Sequence, residues 1–95
     1  MQSYAQTARQ VSALVAAYKV LINQQPSDTV AMAQVQHDII ALCDREDAIG
    51  LDSTATDTDA AIAQLSSAID TLNWMVTKNV AATSILGGVA AVMNQ

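Results

Sequence analysis

The sequence predicts an all-α protein, a helical hairpin followed by a long C-terminal helix, packed in a homo-oligomeric helical assembly. Of its 95 residues 52% are hydrophobic but only 3% aromatic, with no Phe. The apolar content is therefore mostly Ala, Val, Ile, Leu and Met, which favours helices packed closely on one another. Apolar side chains recur at alternating spacings of three and four through most of the chain, the period of a helix with one buried face. The one Pro and a Gly/Asp/Ser/Thr-rich stretch fall between these runs. A chain this short forms one domain, residues 1–95, and buries only about 60–65% of its unfolded surface, so its independent stability is marginal.

The first helix is expected over residues 3–24. Tyr4, Ala8, Val11, Val15, Tyr18 and Ile22 form its stripe, and Leu14 and Leu21 widen it. Pro26 ends the run, because its ring disfavours helical geometry at Gln25 and removes a backbone donor. The turn takes residues 25–28, where Ser27 or Asp28 can cap the next helix. That helix covers residues 29–48, with Met32, Val35, Ile39 and Leu42 facing the first, and the short connection makes the two antiparallel. Their pairing is expected to depend on the Pro26 turn and not on the tail. Residues 49–58 form the loop, with several possible N-caps at residues 56–59.

From there Leu65, Ile69, Leu72, Val76, Asn79, Thr83, Leu86, Ala90 and Met93 hold the alternating spacing, predicting one helix over residues 59–93, about 50 Å long. Neither earlier helix is long enough to cover it, so part of its apolar surface needs another partner. Asn79 and Thr83 are polar positions on that seam, suited to a buried hydrogen-bonded pair or to fixing register between helices. Trp74 falls beside the seam, as a core residue or an anchor of a contact between copies. Gly87 and Gly88 strip side chains from the last turns and allow a second backbone to approach closely or the helix to bend. Leu72, Trp74, Val76, Asn79, Thr83, Leu86, Gly87, Gly88 and Met93 are thus the candidate self-association residues.

Charge is unevenly spread. The formal net charge is −5, which works against a hold on nucleic acid or an anionic membrane. Residues 1–26 carry Arg9 and Lys19 and no acid, residues 27–60 carry eight acids and only Arg45, and the chain has no charged side chain after Lys78. A basic first helix and an acidic middle favour staggered contacts between copies; a solvated acidic hairpin accounts for the same pattern without them.

Chemistry is hard to find. Cys43 is the one cysteine, so no intrachain disulfide forms, and with the single His37 it cannot complete a zinc site. The run Asp44, Arg45, Glu46, Asp47 points in diverging directions on a helix. Counting a calcium loop from Asp57 puts Ile62 at the sixth position and Ala68 at the twelfth, where the motif needs Gly and Glu. His37 and Cys43, six residues apart, lie about 120° from each other around a helix. No catalytic, cofactor-binding or metal-binding residue is expected. The N-terminal residues lack the apolar core of a cleavable signal, which suits a cytoplasmic protein or one exported without a cleaved peptide. The apolar stretch of residues 80–93 is shorter than the roughly 20 residues a membrane span needs, leaving lipid contact by this segment as the alternative to packing.

Residues 26–39, PSDTVAMAQVQHDI, join a helix-breaking Pro and Ser-Asp to an apolar helix carrying Gln36, His37 and Ile39. This stretch resembles the turn and second-helix start of type III secretion needle subunits. The chain departs from that pattern at Thr29, where the family has a second Pro, and in its acidic loop and uncharged C-terminal segment. The resemblance implies a short helical-hairpin subunit that polymerises. The functional expectation is a non-enzymatic structural or interaction subunit of a secretion or virion-type assembly, partnered by copies of itself. Its alternative is a soluble adaptor, chaperone or phage-type inhibitor that binds one protein or small ligand.

Overall fold

A computed structural model describes residues 3–50 and 57–95, and the described residues form four helices and no strand. They are α1 (Tyr4–Asn23), α2 (Thr29–Ile49), α3 (Asp59–Lys78) and α4 (Ala82–Met93). Three of the four start on a side-chain cap, which satisfies an amide that the first turn leaves unpaired. Ser3 accepts from the Gln6 amide, Asp28 from Ala31 at 3.0 Å, and Thr58 from Ala61 at 3.1 Å. The Pro26 turn follows α1 as expected, and Gly50 closes α2 with φ +82° and its amide on the Glu46 carbonyl. Most of the acidic loop, residues 51–56 with Asp52, lies outside the described residues.

The single helix expected over residues 59–93 is instead two. Asn79 adopts φ +52°, ψ +50°, the left-handed conformation. Its amide donates to the Val76 carbonyl at 3.2 Å, and the Val80 amide donates to Met75 at 3.3 Å. These are the paired hydrogen bonds that end a helix at a left-handed residue, and Asn tolerates that conformation better than most residues other than Gly. The chain then reverses, and α4 follows Ala81, an N-cap position with no side-chain hydrogen bond.

The two hairpins stack around α1. Helix α1 touches the other three, α2 and α3 each touch α1 and α4, and α2 and α3 do not touch each other. Asp57 accepts from the Ser3 amide at one end of the bundle, while Gln24 donates to Asn79 at the other, so α1 and α3 run parallel. The cross-section is a rhombus with α1 and α4 on its short diagonal and α2 and α3 at its outer edges, within a flat 43 × 23 × 16 Å envelope.

Burial explains the flatness. Leu14, Leu21, Leu42, Leu72, Ile85, Val89 and Val92 fill the centre, and Ala13, Ala17, Ala31 and Gly88 let the helices approach. The buried face of α1 centres on Leu14 and Leu21, so the stripe from Tyr4 to Tyr18 is only half-buried and Ile22 is exposed. Contact with three helices is the reason, since it draws Thr7 and Gln10 inside as well. The Gln10 side chain donates to the Val92 carbonyl at 2.8 Å and ties the end of α4 to α1, leaving its buried Oε1 without a partner among the described residues.

Candidate functional site

The residues expected to mediate self-association are divided by the α3 to α4 reversal. Leu72 and Gly88 are buried against each other inside the chain. A Cβ on Gly88 would stand 2.8 Å from Met75 Sδ and 3.0 Å from Leu72 Cδ1, so the close backbone approach expected of this glycine is made between α3 and α4. Val76, Leu86 and Met93 are half-buried against the same core. Asn79, Thr83 and Gly87 lie exposed at the reversal and along the outside of α4. Asn79 and Thr83 are neither buried nor on a continuous seam. The apolar surplus expected to need a second molecule is covered within the chain by α4, which turns Ile85, Val89 and Val92 inward.

Trp74 belongs to the outside. It is 58% exposed, and exposed Ser67, Asp70, Thr71, Thr77 and Lys78 surround it on the outer edge of α3. On the opposite edge, α2 turns Ala31, Val35 and Leu42 inward and leaves Val30 77% and Ile40 56% exposed. Exposed His37 and Asp44 flank Ile40 one turn to either side. Val30 and Ile40 are not among the residues that the sequence pattern singles out for self-association. Their signal was legible, since both fall off the stripe of Met32, Val35, Ile39 and Leu42 on a helix that offers more apolar positions than one buried face can use.

Where the two inter-helix turns meet, an open groove of about 810 Å³ runs between residues 23–28 and 79–83. Gln24 spans it, donating to Asn79 at 3.1 Å and to the Val80 carbonyl at 2.8 Å. Asp28 is the titratable side chain among its described lining residues, and its carboxylate already caps α2. The groove can hydrogen-bond but has no nucleophile with a base beside it. A smaller hollow of about 370 Å³ lies between α1 and α3 at Ser12 and Asn73.

His37 stands at the surface, its Nδ1 3.6 Å from Asp38, and Cys43 is half-buried with a free thiol. Among the described residues no three His, Cys, Asp or Glu side chains gather as metal ligands. None of the helices described is long and apolar enough to cross a membrane.

No family model, no curated protein and no solved structure matches this chain.

Proposed function

We propose that the chain is a non-enzymatic helical interaction subunit that associates with copies of itself through the outer edges of its flat bundle. One observation carries this reading: the single Trp stands in the middle of the polar outer face of α3, more than half exposed. Scattered surface aliphatics are ordinary. A large aromatic at such a place is costly to solubility and contributes nothing to the core, whereas Trp is enriched where interfaces concentrate their energy. Exposed Val30 and Ile40 on the opposite edge give it an apolar counterpart. Assembly of like copies is also what the resemblance of residues 26–39 to needle subunits implies.

The adaptor reading has its own support, because α4 completes the core within one chain and a lone copy is already closed. Sedimentation velocity separates the two. The wild-type mass should rise with concentration, and Trp74→Lys should hold the chain at monomer mass with its melting temperature little changed, since exposed substitutions generally shift stability by less than about 0.5 kcal/mol. A wild-type monomer at every concentration favours the adaptor.

A further inference from the structure

We infer that the contact between copies is heterologous, with the α3 edge of one copy docking on the α2 edge of the next, helices parallel, so that association is open-ended. This rests on the self-association proposed above and adds its geometry. Exposed Trp74 on one edge and exposed Ile40 on the other lie on opposite sides of the bundle, on helices that do not touch. A patch that pairs with a different patch on the far side of the molecule leaves both outer patches free in the product, and growth continues.

Charge supplies the register. Along α3 the exposed order is Asp70, Trp74, Lys78, at spacings of four; along α2 it is His37, Ile40, Asp44, at spacings of three and four. At about 1.5 Å per residue the two triplets match to within about 1.5 Å along their axes. Set parallel with Trp74 on Ile40, they bring Asp70 to the His37 imidazole, a donor, and Lys78 to Asp44. Set antiparallel, they bring Asp70 to Asp44, two like charges, and leave Lys78 without a carboxylate, which is disfavoured. Within one bundle α2 and α3 run in opposite directions, so parallel docking turns each successive copy end over end. One helix laid on another is a small interface, and the association belongs in the weak, transient class.

Two variants test this, Trp74→Asp, which blocks the α3 edge, and Ile40→Asp, which blocks the α2 edge. Both positions are exposed, and circular dichroism confirms that each variant is folded before sizing. In sedimentation velocity up to about 1 mM, where a weak interface of this class is populated, wild type should form a growing series of sizes and each variant alone should stay monomeric. Their equimolar mixture should form a dimer that grows no further, because it holds one intact edge of each kind. A mixture that remains monomeric, or an Ile40→Asp chain that associates like wild type, overturns the heterologous geometry while leaving self-association standing. A wild-type monomer throughout overturns the self-association reading itself. For the register, Lys78→Glu and Asp44→Lys should each weaken association about threefold. The double variant should recover it in parallel docking, and continued weakness there overturns the parallel register.

Discussion

Deleting residues 84–95 is expected to abolish cooperative folding of the whole chain. The cut removes Ile85, Val89 and Val92, each no more than 1% exposed, and bares the buried leucines they cover. At about 2 kcal/mol for each buried aliphatic, the loss is roughly 6 kcal/mol, comparable with the entire stability of about 5–15 kcal/mol that a domain has. It also removes the Val92 carbonyl that receives Gln10, stranding a buried carboxamide in α1. This reverses the expectation from the sequence that the first two helices pair without the tail, because α4 sits on the short diagonal and touches α1, α2 and α3 alike. Circular dichroism should show helicity falling by much more than the twelve deleted residues account for, with a broad thermal transition. A sharp transition near the wild-type temperature would mean that α4 is dispensable.

Replacing Gly88 with Leu is expected to destabilise the chain by about 3 kcal/mol, the upper part of the usual overpacking range. A Cβ alone would press on Met75 Sδ and on Leu72 Cδ1, and the remaining atoms of a Leu side chain have nowhere to go between α3 and α4. The neighbouring glycine is its control. Gly87 is exposed, with nothing within 4 Å of a Cβ placed there. Gly87→Ala should therefore raise stability by roughly 0.5–1 kcal/mol through helix propensity alone. Urea denaturation of both variants tests the pair, and equal midpoints would show that the α3 to α4 approach is looser than described.

The part of the architecture that the sequence makes legible is the part encoded by neighbours. Pro26, Asp28 and Thr58 mark helix boundaries by local chemistry, and the first two helices begin and end within a residue of where periodicity and caps place them. The α3 to α4 break was hidden because its residues hold the same spacing of three and four on both sides, and Asn79 reads equally as a polar seam position or as a left-handed cap. Tertiary context decides between them: α4 can pack on Leu72 and Met75 only by folding back, and one non-helical turn rotates its buried face from Leu86, Ala90 and Met93 to Ile85, Val89 and Val92. The site divided in the same way. Trp74 was legible as a candidate because it sat beside the stripe, but which side of α3 faces solvent depends on where α1 and α4 pack, which no local pattern records. Buried Gln10 was illegible for a related reason, since its partner is a carbonyl 82 positions away.

Trp74 itself reports on the claim that the outer edges are contact surfaces. It is the chain's one Trp, so intrinsic fluorescence excited at the indole band reads that edge of α3 without labelling. In dilute solution its emission should be that of a solvated indole. As concentration rises toward about 1 mM, where a weak interface is populated, the maximum should move to the blue in step with the sedimenting mass, because docking removes water from the ring. Emission that stays solvated while mass increases would place the contact elsewhere on the bundle and contradict this account.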